Sequence, residues 1–275
     1  MSTEVDLLKL PALLVLLLVH SLYELFLRLL LGFSWARRKL GTVQRRLVLH
    51  NETEAEYSTQ QMRFEDDVIQ YDVRGLDKIP SHLVVMLGPE QPDYKQLARF
   101  ISWSMAAGVG HVSFYDHRGF LKRNAYLIKN FAKRQPFAKT DQIVWTHQLK
   151  KGTVPLRNGY HRLVVVSCFS PEDGKRSVVQ TARAISDQLT TGSVASPSDI
   201  TAELVDQRLQ DQFHHIPDPE LAVYFGSVCS TYGMLPWQIR LTEFLPLGAR
   251  MQDVKPSHFV SCLYRFAKCE QRFGK

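Results

Sequence analysis

The segment Leu163-Val164-Val165-Val166-Ser167-Cys168-Phe169 does most to limit the folds open to this chain. It is apolar at nearly every position and shows none of the alternation of a strand with one wet face. A short run of that kind is a strand covered on both sides, the usual condition of a parallel sheet. His82-Leu83-Val84-Val85-Met86-Leu87, stopped by Gly88-Pro89, has the same character, and Val112-Ser113-Phe114-Tyr115 and Leu221-Ala222-Val223-Tyr224-Phe225 add two more. Between the strands, Leu97, Phe100, Ile101, Ser104 and Met105 keep helical spacing, with Pro92 before them and Gly108 after. Arg118 to Arg134 reads as a basic amphipathic helix, and Lys175 to Leu189 and Ile200 to Gln210 as two others, with a loop over Ser193 to Ser198. Ser257 reads as the N-cap of a last helix through Cys269, with Phe259, Leu263 and Phe266 on one side. Strands alternating with helices predict an α/β domain, a central parallel sheet flanked by helices on both faces.

Leu7 to Phe33 is almost wholly apolar, interrupted at Lys9, His20, Glu24 and Arg28. As one helix it would run roughly 40 Å, against a bilayer core of about 30 Å. A single membrane span is the first reading. An interfacial helix is the second, given the internal charges, and a cleaved signal peptide is opposed by Glu4, Asp6 and the length of the stretch. Arg37, Arg38, Lys39, Arg45 and Arg46 follow it, so the positive-inside rule places the remainder in the cytosol. There the sequon Asn51-Glu52-Thr53 is inert, and Cys168, Cys229, Cys262 and Cys269, which lack zinc-site spacing, are reduced thiols. Asn51 to Gln61 is polar and acidic. The expected organisation is a membrane anchor and basic flank over 1–46, a linker over 47–78 and a globular domain over 79–275.

The net charge of +7 favours an anionic partner: lipid headgroups, nucleic acid or a phosphorylated substrate. The chain lacks the signatures of zinc fingers and RNA-recognition modules, which argues against nucleic acid. The basic run Lys122 to Arg134 reads as a solvated helix face near a membrane. His82, at a strand start, reads as a hydrogen-bonded core histidine, and His214-His215 as loop surface. The closing Cys269-Glu270-Gln271-Arg272-Phe273-Gly274-Lys275 sets a guanidinium beside a glycine on a tail, a pairing suited to covering a phosphate.

Five pieces, in order from Pro80 to the end, resemble the cis-prenyltransferase family. His82 to Glu90 is similar to the family's His-x-x-x-x-Met-Asp-Gly-Asn-Gly-Arg. Asp218-Pro219-Glu220-Leu221 resembles its Asp-Pro-Asp-Leu, Pro236-Trp237-Gln238 with Glu243-Phe244 its Trp-Gln…Glu-Leu stretch, and Arg272-Phe273-Gly274 its terminal Arg-x-Gly. The family joins an allylic diphosphate to isopentenyl diphosphate, and the leaving diphosphate is neutralised by Mg²⁺ on carboxylate oxygen. Leu87 stands where the first-strand Asp is expected. Tyr224-Phe225-Gly226-Ser227-Val228-Cys229-Ser230 replaces the Arg-x-Ser-Gly-Glu-x-Arg-x-Ser phosphate cradle, with neither arginine. Glu243 alone reads as structural rather than as a relic metal ligand.

Pro-Trp-Gln-Ile-Arg-Leu-Thr-Glu and the Cys-Glu-Gln-Arg-x-Gly-Lys ending are most similar to non-catalytic subunits of eukaryotic dehydrodolichyl diphosphate synthase. That resemblance implies a catalytic cis-prenyltransferase partner that holds the Mg²⁺, with no metal bound by this chain, which alone is inactive. Isopentenyl diphosphate would be met only through the complex, at the endoplasmic reticulum membrane, and the product would feed dolichol-linked protein glycosylation. It also implies that Arg272 and Gly274 reach the partner's diphosphate site. Two other readings compete: a membrane receptor or scaffold built on a degenerate enzyme fold, and an active single-chain transferase with relocated metal ligands.

Overall fold

A computed structural model describes residues 52–135, 137, 141–148, 162–192, 196–214 and 216–270. The apolar stretch Leu7 to Phe33, its basic flank, Arg272 and Gly274 lie outside the described residues. The chain divides between Ser58 and Thr59 into two compact units, and every contact described below lies within the second. Among the described residues no helix is long and apolar enough to cross a membrane.

Six strands, β1 (His82–Met86), β2 (His111–Tyr115), β3 (Asp141–Trp145), β4 (Arg162–Phe169), β5 (Leu221–Tyr224) and β6 (Glu243–Pro246), form one sheet in the order β3-β4-β2-β1-β5-β6. Every pairing is parallel, with β1 flanked by β2 and β5. The four apolar runs named from sequence are the four inner strands, and β1 is buried at all five positions. Alternate residues serve two apolar layers. Leu83, Val85, Phe114, Val164, Val166, Leu221 and Val223 join one cluster with residues of helices α1 (Glu52–Asp72), α2 (Tyr94–Ala107), α4 (Ala125–Ala132) and α7 (Pro256–Ala267). Val84, Met86, Tyr115, Phe169 and Ala222 face the other way, toward Met234 and Leu235. The short helix α3 (Phe120–Arg123) follows β2, and α5 (Lys175–Thr190) and α6 (Ala202–Gln212) lie between β4 and β5.

Local chemistry explains the helix ends. Asp93 accepts from the N–H groups of Lys95 and Gln96 at the start of α2, and Gly108 closes it in the left-handed region (φ 86°). The basic segment after β2 is two helices rather than one, because Asn124 turns out of the helical region (φ −117°, ψ 26°) and its side-chain amide donates to the Phe120 carbonyl. The last helix opens at Lys255 with Pro256 in its first turn, not at Ser257, and ends at Ala267.

The stretch read as a linker is in large part helical. Ile69 and Val73 belong to the main core, and α1 is fastened to α2 by polar groups. The Glu65 carboxylate accepts from Arg99 (2.5 Å) and from the Trp103 indole (3.1 Å), and Asp66 accepts from the Ser102 hydroxyl at 2.7 Å. Burial pushes the Asp66 carboxyl up to about 6. The edge strand β3 is pinned by a bidentate pair: the Arg162 guanidinium donates to both oxygens of Asp141, at 3.1 and 2.7 Å, directly across the register.

Candidate functional site

In an open parallel sheet the natural ligand crevice lies beyond the carboxyl ends of the strands, where neighbouring strands send their connections in opposite directions. Here that place is between β1 and β5: the chain leaves β1 toward β2 on one side and leaves β5 toward β6 on the other. The residues that border it are Leu87-Gly88-Pro89 after β1, Phe225-Gly226 after β5, and Asp116-His117 after β2.

Leu87 extends β1 by one more sheet bond, its N–H donating to the Tyr115 carbonyl (3.0 Å), and its side chain is fully buried in the main apolar cluster. Gly88 then turns in the left-handed region (φ 57°), and Glu90 N–H closes the turn on the Leu87 carbonyl at 3.1 Å. Only glycine suits this position twice over. A Cβ would stand 3.3 Å from the Phe225 carbonyl and 3.5 Å from the Tyr232 ring. The turn after β1 therefore lies directly against the Phe225 carbonyl after β5 and the Tyr232 ring, and Pro89 packs toward Gly226 on the same side.

The loop after β5 covers the rest. The Tyr115 hydroxyl donates to the Tyr232 carbonyl (2.6 Å), and the His117 ring stacks on Tyr232 at 4.9 Å. Met234 and Leu235 are buried against Met86 and Phe169. Tyr232 (φ 49°) and Leu235 (φ 31°) are held in left-handed conformations that side-chain-bearing residues rarely adopt. Sequence reasoning missed this loop, although Ser230 to Leu235 stood beside the segment compared with the phosphate cradle. Of that segment, Phe225 is buried, and Ser227, Val228 and Cys229 are exposed without a cation among them.

The donor set does not fit a divalent cation. At the end of β1 the position is hydrocarbon. Asp116, buried, spends both oxygens on backbone N–H groups, accepting from Arg118 (2.8 Å) and Leu121 (3.0 Å). Among the described residues no group of three or more His, Cys, Asp or Glu side chains is placed to hold a metal. Glu243 opens β6 in register with Leu221, which pairs with Leu83, so it stands four residues short of Leu87, roughly 13 Å along the strand direction.

Other motif residues work toward the opposite, amino ends of the strands. His82, buried, places Nδ1 2.6 Å from the Pro217 carbonyl and Nε2 2.7 Å from the Ser113 hydroxyl. With Nδ1–H donating, the ring is neutral, and burial pushes its pKa down to about 3. Glu220 accepts from the Ser81 N–H, the Thr242 hydroxyl donates to the Pro219 carbonyl, and the Trp237 indole donates to Asp206 (3.1 Å). The Asp-Pro-Glu-Leu and Trp-Gln segments thus fasten β5 and β6 to the body of the domain. All four cysteines are free.

No protein-family profile matches the chain. It is 34% identical over 213 residues to the dehydrodolichyl diphosphate synthase complex subunit Nus1 of Mus musculus, covering 74% of this chain and 69% of that one. The human subunit NUS1 is 33% identical over 224 residues, covering 74% and 70%. The Saccharomyces cerevisiae subunit NUS1 is 27% identical, covering 76% of this chain and 63% of its own. Among solved structures, lavandulyl diphosphate synthase from Lavandula x intermedia, in complex with dimethylallyl diphosphate, superposes with a TM-score of 0.54 at 14% identity. The match covers 71% of this chain and 98% of that one, and it shows a shared fold.

Proposed function

The chain belongs to the Nus1 family of dehydrodolichyl diphosphate synthase complex subunits, and from that premise we propose that it is the non-catalytic member of a heteromeric cis-prenyltransferase. In this reading it stabilises a catalytic partner, holds it at the endoplasmic reticulum membrane through the apolar stretch Leu7 to Phe33, and faces the cytosol. The partner holds the Mg²⁺ and condenses isopentenyl diphosphate onto an allylic diphosphate, toward dolichol and protein glycosylation. Arg272 supplies a guanidinium to the partner's diphosphate site, and Gly274 lets the backbone come close to it.

The observation that carries the reading is the state of this chain's own crevice. Leu87 is buried hydrocarbon where a metal carboxylate would be needed, and the β1 and β5 ends meet at Gly88. A diphosphate leaving group without metal or guanidinium has lost most of its electrostatic stabilisation. The family's fold is retained while the means of catalysis within it are gone, which suits a chain that works by assembly.

Reconstitution of the full chain with a catalytic cis-prenyltransferase tests this. Arg272→Ala is expected to leave assembly intact and to lower polyprenyl synthesis by about a hundred- to a thousandfold, the range for losing one preorganised donor at a developing anion. Unchanged synthesis in an intact complex refutes the donated guanidinium. Normal turnover by the isolated chain refutes the division of labour.

A further inference from the structure

The segment after β2 carries a surface that the subunit reading does not use. From His117 to Gln135 there are six Lys or Arg residues and no Asp or Glu. Arg118, Lys122, Arg123, Lys133 and Arg134 are exposed, and so are Phe120 (41%) and Tyr126 (58%). The two helices bury Leu121, Ile128 and Ala132 inward and turn Tyr126, Asn130 and the Lys133-Arg134 pair outward at helical spacing. Among the described residues two carboxylates meet this segment: Asp116, whose oxygens are taken by the backbone N–H groups of Arg118 and Leu121, and Asp173, which takes the Lys122 ammonium at 2.6 Å. The remaining cations have no such partner among the described ion pairs.

Cations and rings are interleaved here. The Arg123 guanidinium lies over the Phe120 ring at 5.1 Å, and that of Arg134 over Phe131 at 5.6 Å. Exposed aromatic rings beside a dense set of Lys and Arg match the two layers of a bilayer interface, with rings at headgroup depth and cations on the phosphates. Single-stranded nucleic acid is the other anionic surface to weigh. It binds by stacking bases on open aromatic faces. Here two rings already have a guanidinium on a face.

We propose that Arg118–Arg134 is a second membrane contact, in which Phe120 and Tyr126 enter the headgroup layer of an anionic phospholipid surface and Arg123, Lys129, Lys133 and Arg134 bind its phosphates. The contact would orient the folded domain on the membrane, a role separate from the N-terminal stretch and from the Arg272 tail.

The test uses the full chain carrying Tyr126→Trp, mixed with vesicles that contain brominated phosphatidylcholine, with or without phosphatidylserine. The expected result, read as the difference from the unsubstituted chain because Trp35 follows the apolar stretch, is quenching of the new tryptophan in anionic vesicles, little in neutral ones, and its loss at high salt. Lys129→Gln, Lys133→Gln and Arg134→Gln together should weaken engagement by roughly fivefold per cation, about a hundredfold in all, from the usual contribution of one basic residue at an anionic surface. Hydrogen exchange of α4 in the unmodified chain provides a second measurement, with protection expected on anionic vesicles only. Equal quenching in neutral and anionic vesicles, or none in either, overturns the proposal. So does protection of α4 by a single-stranded RNA oligomer when anionic vesicles give none.

Discussion

Restoring the missing carboxylate by Leu87→Asp is the most direct probe of the closed crevice. Leu87 has no exposed surface and belongs to the main apolar cluster. Removing a buried leucine side chain costs about 2–5 kcal/mol, depending on how well the site collapses. A carboxyl left in that apolar cluster adds about 1–3 kcal/mol even when protonated, the cost of a buried polar group without a partner. The sum, on the order of 3–8 kcal/mol, is comparable with the whole stability of a typical domain, about 5–15 kcal/mol. For a domain of this size each kcal/mol lowers Tm by about 2–4 °C, so a drop of at least ~6 °C is expected. Leu87→Ala isolates the cavity and should fall less. The assay is thermal melting of the full-length chain and of its reconstituted complex, with and without magnesium. A metal bound at a hundred times its dissociation constant would return about 2.7 kcal/mol to the folded state. If Leu87→Asp melts with Leu87→Ala and gains several degrees from magnesium, the crevice is a latent metal site and the argument from Leu87 fails.

The pH dependence of stability should carry the mark of His82. Its folded pKa, about 3, lies below the unfolded 6.5, so the unfolded chain takes the proton first and stability falls as pH drops below 6.5, by about 1.4 kcal/mol per unit until pH 3. His82→Asn should remove that share of the slope in acid denaturation curves, whatever it costs at pH 7. Gly174→Ala places a methyl against the Gly233 carbonyl in the covering loop, and overpacking of this kind lowers stability by about 1–3 kcal/mol, read as a lower Tm with the far-ultraviolet spectrum unchanged. Inserting four glycine or serine residues between Cys269 and Glu270 should leave assembly intact and lower complex turnover; undiminished turnover would mean that the helix end does not position Arg272.

The inner sheet was legible because β1, β2, β4 and β5 bury nearly every side chain, and such strands are written in unbroken apolar letters. The edge strands were not. In β3, Asp141, Gln142, Ile143 and Val144 are only half-buried, and the strand is held by the Asp141–Arg162 pair, a contact made across 21 positions of sequence. The second half of α1 hid for a related reason. Its inward face runs Met62, Glu65, Asp66 and Ile69, and two of those four are carboxylates whose partners, Arg99, Trp103 and Ser102, lie on another helix. Apolar periodicity cannot register a face that is half ionic. At the site, the loss of the carboxylate at Leu87 was readable residue by residue. The closure of the crevice was not, because it depends on left-handed backbone at Tyr232 and Leu235 and on the Tyr115 bond to Tyr232, none of which has a sequence signature.

The order of α7 constrains how a donated guanidinium can work. Phe259, Leu263 and Phe266 are fully buried, and Lys78 caps the Phe266 ring at 4.3 Å. The turn after the helix is closed by Lys268 N–H on the Arg265 carbonyl (3.2 Å) and Cys269 N–H on that of Phe266 (2.9 Å). Cys269 is thus a fixed point of the fold, and Arg272 follows three residues later. Three residues reach at most about 11 Å when extended. A diphosphate that Arg272 serves must therefore lie within that backbone reach plus one arginine side chain of the α7 end. The burial of this helix, rather than any property of the tail, would set where the partner's site can be. A complex whose diphosphate sits well outside that radius would leave Arg272 no part in its chemistry.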